Sequence, residues 1–129
     1  MNKFLVDTSV IIDFLRRQDK QKSLYYKLAT EELFVSIITH TELFSGKSVW
    51  ESKTAEDELE DLFSDITVLP LNSEISKKAG EIKAKYEVDL FDAIVASTSI
   101  LNNLELVTLN VKDFKSIPNL KIYTEVLTV

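Results

Sequence analysis

Cysteine is absent from the 129-residue sequence, which excludes disulfide bridges and thiolate metal sites and fits a reducing compartment. Glycine and proline occur twice each, too rarely for a flexible linker or for the glycine-rich turn of a dinucleotide-binding domain. The single histidine, His40, excludes a metal site built from several histidines. Carboxylates and amides therefore remain as the side chains that can hold a metal ion.

Long hydrophobic runs are absent as well. The longest apolar stretches fall far short of the ~20 residues that a membrane-spanning helix needs. The N-terminus lacks the apolar segment and small-residue cleavage site of a signal peptide. We expect a cytoplasmic protein without a membrane segment, folded as a single domain over residues 1–129, because a chain of this length can bury a real core.

The net charge of -6 comes from one stretch of the chain. Residues 51–65 contain seven acids and one base, whereas the rest of the sequence contains 14 acids and 14 bases. We interpret this stretch as a solvated helix face. Salt screens exposed charges over about 8–10 Å, so an acidic face turned away from a substrate groove is compatible with nucleic-acid binding.

Strand and helix patterns alternate along the chain. Short apolar and β-branched runs predict strands, and apolar residues at helical spacing predict helices. The predicted strands cover residues 3–6, 33–38, 66–69, 105–108 and 120–123. The predicted helices cover residues 9–16, 21–29, 39–46, 55–63, 75–86 and 91–101. This alternation indicates an α/β fold with a parallel sheet of about five strands, covered by helices on both faces.

Three acidic residues occupy similar places relative to these elements. Asp7 follows the first strand and opens a helix, and Glu42 and Asp92 are each predicted in the first turn of a helix. In an open parallel sheet, sites form beyond the carboxyl ends of the strands, where helices begin, so the three acids can converge. Converging carboxylates repel one another and need a cation. An all-oxygen site suits Mg²⁺ or Mn²⁺, which polarise phosphates and activate water for phosphodiester hydrolysis.

Each acid also has a purely structural interpretation. Asp7 can cap the helix that follows it, and Thr39 with Glu42 matches a capping box. Asp89 can cap a helix in which Asp92 is a first-turn acid favoured by the helix dipole. We prefer a shared site because three carboxylates are predicted at the same edge of one sheet.

Several neighbouring polar residues are candidates to complete this site. Asn110 and Asp113 follow a predicted strand and offer an amide and a fourth carboxylate. The hydroxyls of Thr8, Ser9 and Thr108 can hold Asp7 in place or bind water, although all three also suit ordinary cap and turn positions.

Other charged residues near these motifs have weaker assignments. His40 is predicted to support the site indirectly or to lie at the surface, rather than to act as a general base. Asp13 is predicted to face solvent. The bases after the first helix, Arg16, Arg17 and Lys20, are either ordinary surface residues or contacts to phosphates.

Four segments, in this order, resemble the PIN domain and, more narrowly, the VapC-type toxins of prokaryotic toxin–antitoxin pairs. They are VDTS at residues 6–9, TEL at 41–43, DAIVA at 92–96 and LVTLNVKDF at 106–114. The resemblance runs from about Phe4 to Tyr123. It implies a three-layer α/β/α sandwich with a parallel sheet, and a Mg²⁺- or Mn²⁺-dependent endoribonuclease whose targets are structured RNAs, often tRNA or rRNA.

The resemblance also implies roles for individual residues and partners. Asp7 and Asp92 would ligate the metal most directly, and Glu42 would complete the acidic triad. The fourth position varies between Asp and Asn in the family; here it is Asn110, with Asp113 one turn on, and either can supply the fourth group. The family further implies a homodimer, and a small antitoxin whose C-terminal arm reaches the acidic cleft, commonly with an arginine.

Other functions of α/β proteins fit the sequence less well. A phosphoacceptor receiver domain needs an acidic pair after the first strand, where Asp7 stands alone. A haloacid-dehalogenase-type phosphatase needs a second aspartate at the position of Ser9. Two alternatives remain open: a PIN-type nuclease of RNA maturation, and a non-catalytic module that binds RNA or protein on the same fold.

Overall fold

The central sheet is parallel throughout, as the alternating pattern predicts. A computed structural model describes residues 1–124, and within them the sheet has four strands in the order β3-β2-β1-β4. Their bounds are β1 Lys3–Val6, β2 Glu32–Ser36, β3 Thr67–Leu69 and β4 Glu105–Val107. The predicted fifth strand is reduced to a bridge between Leu106 and Ile122 beside β4. The predicted domain extends to residue 129, and its last five residues lie outside the described part.

Helices connect these strands. Their bounds are α1 Thr8–Arg16, α2 Leu24–Leu28, α3 Ile37–Phe44, α4 Lys47–Glu51, α5 Lys53–Ser64, α6 Ser73–Tyr86 and α7 Leu90–Leu101. Short 3₁₀ turns lie at Lys20–Lys22 and Val111–Asp113. Within residues 1–124, no helix has the length and apolar character needed to cross a membrane.

Two apolar cores, one on each face of the sheet, make the fold a three-layer α/β/α sandwich. Successive strand residues point to opposite faces, so Phe4 and Val6 belong to one core, while Leu5 between them belongs to the other. The first core includes apolar residues of α1, α2 and α5, and the second includes those of α6 and α7. Both faces are therefore covered, which agrees with the predicted architecture.

The helix that carries Glu42 starts earlier than predicted. The apolar run that suggested a strand to residue 38 turns into helix after Ser36, whose hydroxyl accepts a hydrogen bond from the Ile38 N–H at 3.1 Å. Thr39 is thus a fully buried residue inside α3 and not a cap, so the capping-box interpretation is wrong. Glu42 lies in the second turn of α3, and the first-turn prediction is wrong as well.

One further prediction is corrected by local capping. The helix predicted at residues 21–29 is split by Ser23, which ends the 3₁₀ turn and caps α2 by accepting from the Tyr26 N–H at 3.1 Å. Of the two residues that suit a cap at the start of α1, Asp7 caps the helix, as predicted, and Ser9 lies inside it. The short helix α4 was not predicted at all.

The strand order places a topological switch point at β1. The chain passes from β1 outward to β2 and β3, and then returns to pair β4 with the other side of β1. At the carboxyl ends of the strands, α1 and α3, which follow β1 and β2, therefore diverge from α7, which precedes β4. A crevice at this position is where open α/β sheets bind ligands.

Candidate active site

Asp7 lies at the switch point, where β1 ends and α1 begins. Its extended backbone and its carboxylate cap α1, with Oδ1 accepting from the Ser9 N–H at 3.0 Å. The Ser9 hydroxyl donates to the same oxygen at 2.5 Å, and the Thr108 hydroxyl donates to Oδ2 at 2.6 Å. Ser9 lies in α1, which follows β1, and Thr108 directly follows β4, so both carboxylate oxygens are held by groups just beyond the two strands that flank the switch point.

The environment of Asp7 opposes its negative charge. Only 6% of the residue is exposed. Burial raises the pKa of Asp7 above its ordinary value, although the hydrogen bonds from Ser9 and Thr108 lower it in part. An exposed aspartate could cap the helix equally well. A buried aspartate whose carboxylate is oriented by two hydroxyls is typical of a site that binds a cation.

Glu42 reaches the same cleft from α3. The Thr8 hydroxyl, in the first turn of α1, lies 2.9 Å from Glu42 Oε1 and donates a hydrogen bond to it. The hydroxyl of the buried Thr39 lies 3.4 Å from that of Thr8. Thr8 therefore fixes the position of Glu42 across the gap between α1 and α3, and the predicted role of Thr8 in holding Asp7 is not what the structure shows.

Asp92 enters from the first turn of α7, beneath its cap. Asp89 caps this helix by accepting from the Phe91 N–H at 3.0 Å. The pKa of Asp92 is raised to about 6, first by burial and then by the negative charges of Asp89, Asp113, Asp7 and Glu42. Carboxylates from four different segments therefore lie close enough to Asp92 for their charges to act on it.

These side chains line one open cleft of about 590 Å³. Its wall continues along α1, whose residues repeat at helical spacing on the cleft side. The residues that line it are Asp7, Thr8, Ser9, Ile12, Asp13, Arg16, Arg17, Glu42, Asp92, Val95 and Asn110.

The remaining predicted site residues lie at different places around this cleft. Asn110 is exposed at its edge, and its backbone N–H donates to the Thr108 hydroxyl at 2.9 Å. Asp113, at the end of the second 3₁₀ turn, lines a separate cavity of about 430 Å³ on the other side of Asp92, together with Asp89. Thr108 is buried, donates to the Asp7 carboxylate and is not itself among the residues that line the cleft.

Sequence reasoning undervalued two acids. The sequence predicts Asp89 only as a cap, yet after burial its charge is the largest cause of the raised pKa of Asp92; its position three residues before Asp92 was the available signal. Asp13 is predicted only to face solvent; in the structure it is half-buried, pairs with Arg17 and lines the cleft. His40 is half-buried and packs against the rings of Phe44 and Phe63, away from the acids.

The donor set of the cleft fits a hard divalent cation. The side chains available are carboxylates, hydroxyls and one amide, which suit Mg²⁺ or Mn²⁺ rather than a softer metal. Within residues 1–124, no three His, Cys, Asp or Glu side chains form a ready-made metal-binding cluster.

Comparison with known sequences gives consistent matches over almost the whole chain. The PIN domain family matches residues 4–120. Ribonuclease VapC19 of Mycobacterium tuberculosis is 30% identical over 124 residues, covering 91% of this chain and 96% of the relative. The tRNA(fMet)-specific endonuclease VapC of Salmonella typhimurium is 27% identical over 130 residues, covering 95% of this chain and 97% of the relative.

Comparison with solved structures agrees. The crystal structure of VapBC2 from Rickettsia felis, bound to a DNA fragment from its promoter, contains a chain that superposes with a TM-score of 0.76. That chain is 26% identical, and the match covers 94% of this chain and 97% of the other. The fold and the sequence therefore point to the same relatives.

Proposed function

This chain belongs to the PIN domain family, in its VapC group of ribonucleases, and on that basis we propose that it is a metal-dependent endoribonuclease and the toxin of a toxin–antitoxin pair. The observation that carries the proposal is the convergence of Asp7, Glu42 and Asp92 at the switch point. Carboxylates brought together in this way destabilise one another unless a cation is present.

The three acids have distinct proposed roles. Asp7 and Asp92 bind the metal most directly, and Glu42, held by Thr8, orients it or positions the attacking water. A divalent ion bound there would neutralise charge on the phosphate and make water a stronger nucleophile. Asp7 is kept in the required orientation by Ser9 and Thr108, which also favour its ionised form.

The fourth position is assigned from the geometry of the two candidates. Asn110 lies at the edge of the cleft and can contact the substrate or a water molecule there. Asp113 influences Asp92 through its charge from the other side. We therefore assign Asn110 to the substrate side and Asp113 to tuning Asp92. We propose Mg²⁺ or Mn²⁺ as the ion, because both prefer the oxygen ligands that this cleft offers.

The partners proposed for this chain follow from its relatives. One relative is a tRNA(fMet)-specific endonuclease, and we propose a structured RNA such as tRNA or rRNA as the substrate. Solved relatives are VapBC complexes, and we propose a small antitoxin that covers the acidic cleft with a basic arm. A homodimer, a cytoplasmic location and a single domain spanning the whole chain complete the proposal.

Two alternatives give different experimental results. A nuclease of RNA maturation would cleave RNA but would not arrest growth or be neutralised by a protein encoded beside it. A non-catalytic binding module would bind RNA without cleaving it. The presence of all three acids in one cleft favours an enzyme over the binding module.

The ribonuclease is tested by incubating the purified, antitoxin-free protein with total cellular RNA and mapping the new 5′ ends. We expect cleavage with Mg²⁺ or Mn²⁺ and none with EDTA. Asp7→Asn, Glu42→Gln and Asp92→Asn should each retain the fold and lose cleavage by orders of magnitude. Asp61→Asn, on the exposed face of α5, is the matched control and should cleave normally. Full activity in any of the three cleft variants would remove that residue from the site.

The toxin role is tested separately in cells. Expression of the wild-type chain should arrest growth, and co-expression of a short open reading frame adjacent to its gene should restore it. Expression of Asp92→Asn should not arrest growth. Normal growth on expression of a protein that cleaves RNA in vitro would favour the RNA-maturation alternative.

A further inference from the structure

Three basic residues, Arg16, Arg17 and Lys20, lie at or just after the end of α1, and their side chains have different surroundings in the structure. Lys20 donates through Nζ to the backbone carbonyls of Phe14 and Leu15, at 2.8 and 2.9 Å. These are among the last carbonyls of α1, which lack partners within the helix. The charge of Lys20 therefore serves the C-terminus of α1 and is not directed into the cleft.

Arg17 also bonds to a group within the protein. Its Nε donates to both carboxylate oxygens of Asp13, at 3.0 and 2.9 Å, and both residues line the cleft. The Asp13 carboxylate is 23% exposed and the Arg17 side chain 44% exposed. The pair contributes no net charge to the cleft wall.

Arg16 differs from both. It lines the acidic cleft, is exposed, and within the described part of the chain its side chain makes no ion pair and no hydrogen bond. Arg16 also lines a neighbouring groove of about 340 Å³ that shares Ile12 and Glu42 with the cleft. Arg16 therefore lies where the cleft adjoins this groove.

The charge of Arg16 matters for substrate binding because the other charges of the cleft are mainly negative. With Arg17 paired to Asp13, the acids Asp7, Glu42 and Asp92 are opposed only by Arg16 among the cleft-lining residues of the described part. A polyanionic strand is repelled by these carboxylates even when one divalent ion is bound. A guanidinium presents paired N–H donors that match two phosphate oxygens, and it stays charged at all relevant pH values.

We propose that Arg16 binds a backbone phosphate of the RNA strand at the mouth of the acidic cleft, and that Arg17, held by Asp13, does not. This inference rests on the proposed ribonuclease function. It makes Arg16 a substrate-binding residue that holds the strand across the acids, next to the phosphate that is cleaved. Arg17 is then a structural partner of Asp13 in the cleft wall.

The test compares matched variants in RNA binding. All are made in the full chain with Asp92→Asn, so that the probe stays intact, and binding is measured in EDTA with a fluorescein-labelled, random-sequence single-stranded RNA at several salt concentrations. Each phosphate contact contributes about 0.7 to the slope of log affinity against log salt for single strands. Arg16→Gln should lower the slope by about 0.7 and weaken binding, whereas Arg16→Lys should retain most of the slope.

Arg17→Gln removes the same charge from the neighbouring position. It should leave the slope of the parent unchanged. Because it also frees the Asp13 carboxylate, a second control replaces both members of the pair, with Asp13→Asn and Arg17→Gln together, and should bind like the parent. Equal loss of slope in Arg16→Gln and Arg17→Gln would overturn the proposal, because it would indicate a general charge effect and no contact at Arg16.

Cleavage by otherwise wild-type protein provides the second readout. Arg16→Gln should raise KM with little change in kcat, because the contact is made before and during the reaction alike. Failure of the ribonuclease proposal gives no cleavage by wild type. Failure of the Arg16 proposal gives a wild type that cleaves RNA and an Arg16→Gln variant with the same KM. The two results are distinct.

Discussion

The hydroxyl of Thr108 donates a 2.6 Å hydrogen bond to Oδ2 of Asp7, across 101 positions of the sequence. This contact joins the ends of β4 and β1, the two strands on either side of the switch point. It holds a buried carboxylate in a fixed orientation and opposes the rise in the pKa of Asp7 that burial causes. The pairing of β1 with β4 therefore places the residue that orients the Asp7 carboxylate.

Thr108→Val should remove this support while keeping the shape of the side chain. A hydrogen bond to a charged group contributes about 1.5–3 kcal/mol, so we expect RNA cleavage to fall by about tenfold or more. The pKa of Asp7 should rise further. The measurement is the cleavage rate at fixed metal concentration. Thr98→Val is the control, since Thr98 is equally buried but donates to the Ile94 carbonyl within α7. Equal losses in the two variants would contradict a specific role for Thr108.

Thr8→Val should release the Glu42 carboxylate from its hydrogen bond to residue 8. The variant lacks the 2.9 Å hydrogen bond across α1 and α3, so the Glu42 carboxylate loses its fixed position and cleavage should fall by about tenfold. Thr41→Val provides the comparison, because Thr41 lies on the same helix as Glu42 but bonds only to the Ile37 carbonyl on the exposed side. A Thr8→Val enzyme as fast as Thr41→Val would show that Glu42 needs no such support.

How much of this site was predictable depends on which forces place each residue. Asp7 and Asp92 were placed correctly because strong local signals, a short apolar strand and an aspartate cap, precede them. The start of α3 was misplaced because Ile37 and Ile38 continue an apolar β-branched run, and only the Ser36 cap ends the strand. Glu42 still reaches the cleft, since the second turn of α3 faces α1.

Other features could not be read from local patterns. Within residues 1–124 the fifth strand amounts to one bridge, because the chain between β4 and that bridge is irregular, with turns instead of a continuous apolar run. The distinct roles of Arg16 and Arg17 depend on the i, i+4 partner of only one of them, Asp13. The influence of Asp89 on Asp92 depends on distances between side chains of α7 and its preceding loop.

Asp92→Asn should stabilise the metal-free protein near neutral pH. The folded-state pKa of about 6 lies above the ordinary value of 3.8, so the folded state binds the proton more tightly than the unfolded state does. The free energy of unfolding therefore falls as pH rises from about 4 to about 6, and the ionised Asp92 carboxylate destabilises the folded state at pH 7. We expect a gain on the order of 1 kcal/mol for Asp92→Asn at pH 7, reduced from the full shift because solvent screens this partly exposed group.

This gain is measured by thermal unfolding in EDTA at several pH values. The difference between Asp92→Asn and wild type should shrink toward zero near pH 4, where wild-type Asp92 is protonated. Saturating Mg²⁺ or Mn²⁺ should reverse the order at pH 7, since a ligand that binds the folded state stabilises it. A difference that stays constant with pH would contradict the raised pKa of Asp92.

Asp89→Asn should lower the pKa of Asp92 in the metal-free protein. Asparagine caps a helix as well as aspartate does, so α7 should keep its start, while the largest neighbouring charge is removed. Carboxyl-carbon NMR titration in EDTA measures the shift directly. Glu87→Gln, at the exposed end of the same loop, is the control for a general change in charge. An unchanged titration of Asp92 in Asp89→Asn would contradict the assigned interaction.

The dependence of RNA cleavage on the concentration of Mn²⁺ or Mg²⁺ is the direct test of metal-dependent cleavage at the acidic cleft. It should be measured on one RNA target, for wild type, Asp92→Asn and the exposed-face control Asp61→Asn. We expect no cleavage by wild type in EDTA, restoration that saturates as metal is added, the same curve for Asp61→Asn and negligible cleavage by Asp92→Asn throughout. Cleavage by wild type that persists in EDTA, or an Asp92→Asn curve that matches wild type, would contradict it.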